Sequence, residues 1–149
     1  MSTVLKNGTL KIRGGDGNDK IELNRMLGRT PAMVEIKVNG EVMATVPYSQ
    51  LRNVKIYGGN GDDNIKIDPS LSLDTTIHGG KGDDTIQGGS GSDKIFGGAG
   101  DDVIEGTKGN TNWIDGGSGA DTIYHYNGDH VKPRRGEGDR GYLNHFRRV

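Results

Sequence analysis

Along much of this chain, large aliphatic residues stand alone between polar residues and glycine. Ile86, Ile95 and Ile104 are nine residues apart, Ile114 and Ile123 continue the series with one residue added, and Ile21 and Ile65 sit in the same local pattern upstream. A period of nine matches neither the 3.6 of an amphipathic helix nor the 2 of a half-buried strand. It predicts a repeated unit, a turn followed by a strand of about three residues with one buried aliphatic at its centre. The N-terminal part reads differently. Residues 9–13 and 20–24 alternate as short strands around the first copy of the unit. MVEIKV (33–38) and EVMATV (41–46) are β-rich runs joined by Asn39-Gly40, a connection that predicts an antiparallel hairpin inserted at about 33–46. VKIY (54–57) then leads as a strand into the second copy.

From Gly79 the chain reads GGKGDDTIQ, GGSGSDKIF, GGAGDDVIE, a looser GTKGNTNWID and GGSGADTIY, with outlying copies GGDGNDKIE at 14–22 and GGNGDDNIK at 58–66. The template is G-G-x-G-x-D-x-U-x, with U a large aliphatic. Glycine at the first, second and fourth places suits a turn that visits positive φ and lies close against a neighbour. Two units wind back to their starting point, so turns two units apart stack along one edge. On this spacing the turns beginning at Gly14, Gly58, Gly79, Gly97 and Gly116 share one edge, and those at Gly88 and Gly106 the other.

Stacking brings the sixth-place carboxylates together: Asp19, Asp63, Asp84, Asp93, Asp102 and Asp121. Between them lie turn carbonyls around the second- and fourth-place glycines, namely Gly15, Gly17, Gly59, Gly61, Gly80, Gly82, Gly89, Gly91, Gly98, Gly100, Gly117 and Gly119. Several hard oxygens per site are what Ca²⁺ accepts, and about three to five ions per chain are expected. Zinc or copper would want His or Cys, which the turns do not offer. The fifth-place residues Asp62, Asp83, Asp101 and Asn18 either add oxygens, directly or in support, or are solvated loop residues.

Over residues 10–124 these motifs resemble the RTX, or haemolysin-type, calcium-binding nonapeptide repeats. The resemblance implies an all-β fold, a parallel β-roll (a right-handed β-solenoid) with Ca²⁺ held between stacked turns. It also implies a secreted or cell-surface location where extracellular calcium triggers folding. It carries the family's carboxylate-ligand role onto the six sixth-place aspartates named above. Asn112 takes that place in the looser unit, which lacks the second glycine and still presents Ile114. One buried Ile per nine residues does not offset the entropy of ordering them, and rows of carboxylates repel, so the repeats are expected to be largely disordered without Ca²⁺ and to fold on binding it. A flexible glycine-rich linker would not keep an Ile two residues after an Asp at a fixed period.

At 149 residues the length suits one domain, but 30% hydrophobic content and 27 glycines do not suit a conventional core. Residues 1–124 carry 13 basic and 17 acidic side chains, whereas 125–149 carry 6 basic and 3 acidic. The chain therefore divides into a β-roll with its hairpin (1–124) and a C-terminal tail (125–149). Five of the eight aromatics, Trp113, Tyr124, Tyr126, Tyr142 and Phe146, fall near or in that tail. This suits a cap, which a solenoid needs at its open end. The alternative is a partner-binding or export-recognition tail. Lys132, Arg134, Arg135, Arg140, Arg147 and Arg148 suit a polysaccharide, an anionic cell surface such as lipopolysaccharide, or a protein partner. The patch is short and the body acidic, which argues against nucleic acid.

Cysteine is absent, so there is no disulfide framework and no thiolate chemistry. No apolar run reaches the length of a transmembrane span or a cleaved N-terminal signal, so export is expected by another route. Family members commonly carry a C-terminal export signal, and the basic LNHFRRV ending does not match that pattern. His125, His130 and His145 lie near Asp129, Glu137 and Asp139 but in no zinc-binding spacing, and His78 reads as an exposed strand residue. No nucleophile elbow and no phosphate loop is present, so no enzyme is expected. Two readings follow. One is a calcium-dependent structural or binding module working outside the cell, favoured by Met1 lying close before the first repeat. The other is an accessory repeat domain of a larger secreted toxin, protease or polysaccharide-modifying enzyme, favoured by the missing export pattern.

Overall fold

The computed structural model describes residues 1–108, 110–132 and 140–143. Its strands are β1 (Ser2–Lys6), β2 (Thr9–Asp16), β3 (Lys20–Met26), β4 (Met33–Val38), β5 (Glu41–Pro47), β6 (Asn53–Asn60), β7 (Asn64–Ile67) and β8 (Thr75–Lys81). They continue with β9 (Thr85–Gln87), β10 (Lys94–Ala99), β11 (Val103–Glu105), β12 (Trp113–Ser118), β13 (Thr122–His125), β14 (His130–Val131) and β15 (Arg140–Leu143). A 3-10 turn, Tyr48–Gln50, links the hairpin to β6. Two sheets result, a seven-stranded one ordered β1-β2-β6-β8-β10-β12-β14 and an eight-stranded one ordered β15-β13-β11-β9-β7-β3-β4-β5. Within the coils the pairing is parallel, each strand lying on the strand one coil earlier. This is an all-β parallel solenoid.

The register explains why isolated aliphatics suffice. Ile12, Ile56, Ile77, Ile95 and Ile114 align in one sheet, and Ile21, Ile65, Ile86, Ile104 and Ile123 in the other. All ten are buried in one core cluster. Each Ile contributes about 1.5–3 kcal/mol by leaving water, and because every coil puts its Ile at the same height, the rows pack as two continuous ridges.

The inserted hairpin forms as expected, with β4 antiparallel to both β3 and β5. Its Val34, Ile36 and Val38 carry the core beyond the first coil. The other sheet is extended in the same way by β1, antiparallel to β2 across the Asn7-Gly8 turn. The sequence reading, which starts the strands at Thr9, does not include β1. At the far end the sheets run on past Tyr124, since β14 pairs parallel with β12 and β15 parallel with β13. Among the residues read as a capping or binding tail, Arg134, Arg135, Glu137, Asp139, His145, Phe146, Arg147 and Arg148 lie outside the described residues. Lys132 is used internally, its Nζ 2.7 Å from Asp115 Oδ2.

On the outer face of the seven-stranded sheet, successive coils stack Tyr57, His78 and Phe96, with ring centroids 5.1 and 4.6 Å apart. His78 is therefore half-buried rather than exposed. Burial, with Lys55 nearby, holds its pKa below the usual imidazole value.

Candidate metal centre

On the edge that carries turns 14–19, 58–63, 79–84, 97–102 and 116–121, the register places Gly15, Gly59, Gly80, Gly98 and Gly117 above one another. Two glycine places explain the packing. At the first, a Cβ on Gly79 would overlap Oδ2 of Asp84, so glycine there lets the carboxylate fold back into its own turn. At the second, Gly80 has φ +133°, and a Cβ would run into the Gly59 carbonyl of the coil before. Any other residue at either place would hold the coils apart.

The carboxylates that fill this space are buried: Asp19 is 7% exposed, Asp63 2%, and Asp84, Asp102 and Asp121 1% each. One oxygen of each knits the coils. Asp63 Oδ1 accepts the Asp19 amide at 2.8 Å, Asp84 Oδ1 that of Asp63 at 2.8 Å, Asp102 Oδ1 that of Asp84 at 2.8 Å, and Asp121 Oδ1 that of Asp102 at 3.0 Å. The other oxygen, Oδ2 of Asp19, Asp63, Asp84 and Asp102, is buried with no hydrogen-bond donor. A buried, half-satisfied carboxylate is costly unless a cation compensates it. The strain shows in the acidities. Burial, reinforced by neighbouring carboxylates, pushes Asp84 up to about 6 and Asp102 up to about 7, and raises Asp63.

The fifth-place residues point outward and form their own ladder in the opposite direction. The Asp62 amide donates to Asn18 Oδ1 at 2.9 Å, that of Asp83 to Asp62 Oδ1 at 2.9 Å, that of Asp101 to Asp83 Oδ1 at 2.8 Å, and that of Ala120 to Asp101 Oδ1 at 2.7 Å. Asp62, Asp83 and Asp101 sit at the turn surface and add negative potential there.

The second edge carries Asp93 and Asn112. Asp93, 1% exposed, accepts from the Thr75 amide at 3.1 Å and the Thr75 hydroxyl at 2.6 Å through Oδ1, and its own amide donates to Asn112 Oδ1 at 2.9 Å. Burial raises its pKa to about 7. The Asn112 amide donates in turn to Asp129 Oδ1 at 2.9 Å.

Three members of these ladders escape sequence reading. Asp129 continues the second ladder one coil on, its N-G-D context the only trace of the repeat. Thr75 starts it from a glycine-free stretch. Asn39 closes the first: its Nδ2 donates to Asp19 Oδ1 at 2.8 Å, and its Oδ1 accepts the Lys20 amide at 2.7 Å. The Asn39-Gly40 signal finds the turn but not this role.

Among the described residues no three His, Cys, Asp or Glu side chains converge on one point. A cation between these turns therefore has to take backbone carbonyls beside the carboxylates, a hard-oxygen set that fits Ca²⁺. No curated protein and no solved structure matches the chain significantly. The family model of the RTX calcium-binding nonapeptide repeat matches in four copies, over residues 11–25, 52–66, 78–112 and 103–129. These segments span more than half of the chain and, among the described residues, contain every stacked turn but the degenerate one at 70–75, and by that measure the chain belongs to the RTX calcium-binding nonapeptide-repeat family, whose repeats form a calcium-binding β-roll.

Proposed function

We propose that this protein is a calcium-triggered folding module that works outside the cell as a structural or binding element and not as an enzyme. The observation that carries the reading is the row of buried Oδ2 atoms on Asp19, Asp63, Asp84 and Asp102, which have no donor. Calcium, when bound, supplies the positive charge that makes burying this row favourable. The chain does the rest. Its glycines bring the coils to contact, the Oδ1–amide ladder holds each carboxylate in one orientation, and the isoleucine rows seal the interior from water. Each of these depends on the coil beside it, so ordering is cooperative, and binding free energy becomes folding free energy.

Extracellular fluid holds calcium at the level that weak modular sites need, whereas cytosolic calcium is far lower. RTX-repeat proteins are typically extracellular, which supports the same location. A chain without cysteine also crosses redox compartments unchanged. The buried acids are committed to linking one coil to the next and not to a cleft, which supports a structural role. The test is a calcium titration of chelator-treated protein followed by far-UV circular dichroism, with Mg²⁺ as the control. A coil-to-β transition at roughly 10⁻⁴ to 10⁻³ M Ca²⁺ is expected. A spectrum already β without calcium and unmoved by it refutes the folding switch, and a sub-micromolar midpoint refutes the extracellular setting.

A further inference from the structure

The two edges of the roll differ in backbone as well as in side chains. On the first edge Gly59, Gly80, Gly98 and Gly117 have φ between +105° and +133°, as do the fourth-place Gly61, Gly82, Gly100 and Gly119. On the second edge Gly89 and Gly91 hold the same places in GGSGSD, yet neither is left-handed. The neighbouring coils account for this. On one side, residues 70–75 put Leu71 and Leu73 at the second and fourth places, both turned into the core and buried. The Leu71 carbonyl lies against Gly89 and accepts the Ser90 amide at 3.2 Å. The sixth place of that turn is Thr75, which brings no carboxylate. On the other side, Thr107 replaces the second glycine. Its buried hydroxyl donates to the Gly88 carbonyl at 2.7 Å and also touches that of Gly89. Asn112, in the aspartate place, spends its Oδ1 on the Asp93 amide and donates its Nδ2 to the Thr107 carbonyl at 3.2 Å. At the next turn both oxygens of Asp129 have amide donors, Asn112 and Tyr126.

Resting on the calcium-binding reading above, we infer that calcium is confined to one edge of this roll. The second edge is a closed spine in which leucines turned into the core stand in place of turn glycines, and a threonine hydroxyl and an asparagine amide bond the turn carbonyls. Among the described residues the first edge has five stacked turns and so four spaces between turns, each lined by two aspartates. Each space on the second edge has one neutral sixth-place residue facing its aspartate, half the charge, and a backbone set in another conformation. The sequence places Asp93, Asn112, Gly89 and Gly91 among the metal residues on the strength of their position in the unit, and the geometry points away from all four. Asp93 is the residue that tests this, because its Oδ2 is buried without a donor as on the first edge, while its neighbours Thr75 and Asn112 bring no charge.

Native mass spectrometry in excess Ca²⁺ counts the ions on the full chain, on Asp84→Asn and on Asp93→Asn. Fewer ions than on the unaltered protein are expected on Asp84→Asn, and an undiminished count on Asp93→Asn with a calcium midpoint within about twofold of the parent. An ion lost from Asp93→Asn, or none lost from Asp84→Asn, overturns the inference while leaving calcium binding intact. No ion at all on the parent chain overturns both. If Asp93→Asn does not fold, Thr107→Val serves instead. Its count should equal the parent's, with the same loss of stability at high and at just-saturating calcium, and a changed count overturns the inference.

Discussion

Gly80→Ala and Gly17→Ala separate two costs that the repeat imposes on any residue but glycine. Both positions have strongly positive φ, +133° at Gly80 and +114° at Gly17, a region in which a side chain costs about 1–3 kcal/mol. They differ in what surrounds them. A Cβ on Gly80 would be driven into the Gly59 carbonyl and backbone nitrogen, whereas nothing lies within 4 Å of one on Gly17, whose turn is the first of its row. Backbone held in a parallel ladder yields little, so Gly80→Ala should carry a further roughly 1–3 kcal/mol of overpacking. The assay is urea unfolding at one fixed, saturating free-calcium concentration, because calcium itself adds to apparent stability. Gly17→Ala should lose about 1–3 kcal/mol and Gly80→Ala about 1–3 kcal/mol more. The turn forced away at Gly80 also carries Asp84 of the carboxylate row, so Gly80→Ala should also raise the calcium midpoint, by about tenfold per 1.4 kcal/mol lost from binding, while Gly17→Ala moves it much less. Equal losses at the two sites would refute the claim that coil contact, and not φ alone, demands glycine at the second place.

Asp102→Asn keeps an Oδ1 to accept the Asp84 amide and removes only the charge, so two opposite effects are expected. The calcium midpoint should rise on the order of 10- to 100-fold, while β-structure in chelator at pH 8 should increase, as read by circular dichroism; a variant less ordered in chelator would count against the repulsion argument. The folded, metal-free pKa values of Asp84 (about 6) and Asp102 (about 7) lie above the unfolded carboxylate value. Metal-free stability from these groups is then fully present below about pH 4 and lost as pH rises through 6 to 7, so chelated protein should be more ordered at pH 4 than at pH 8, and the calcium midpoint should fall with rising pH. A flat profile across that window would exclude the linkage. Asn39→Ala should cost about 1–2 kcal/mol in urea unfolding by leaving Asp19 Oδ1 and the Lys20 amide without this partner, and Asn39→Asp should cost more in chelator than in calcium because it sets a second carboxylate against Asp19.

The solenoid was legible because a repeat imposes translational symmetry: once nine residues fix one coil, residues at the same place must stack. Counting alone therefore assigned the turns at Gly14, Gly58, Gly79, Gly97 and Gly116 to one edge, and the registers agree. Placement of the acids follows from the same symmetry, since adjacent residues in extended chain point to opposite sides. With Asp84 inward, Asp83 has to face out, although the letters D-D do not say which is which. What the sequence concealed is where the symmetry breaks. Residues 70–75 contain no glycine, and it is their contacts with the next coil, Thr75 with Asp93 and the Leu71 carbonyl with Ser90, that show them to form a turn of the roll. Thr107 and Asn112 read as a worn copy of the calcium turn, whereas their hydroxyl and amide bond to the groups that a cation would otherwise hold. The Asn7-Gly8 turn carries the same hairpin signal as Asn39-Gly40, but β1 before it alternates between exposed and half-buried residues and never fully buried ones, so its strand pattern is faint. Asn39 shows the general reason. A residue that ends a repeat owes its role to the coil it replaces, and that coil is not written in the chain. The departures from the nine-residue template are thus where this protein specifies its own ends and its own spine, while the template supplies the chemistry they bound.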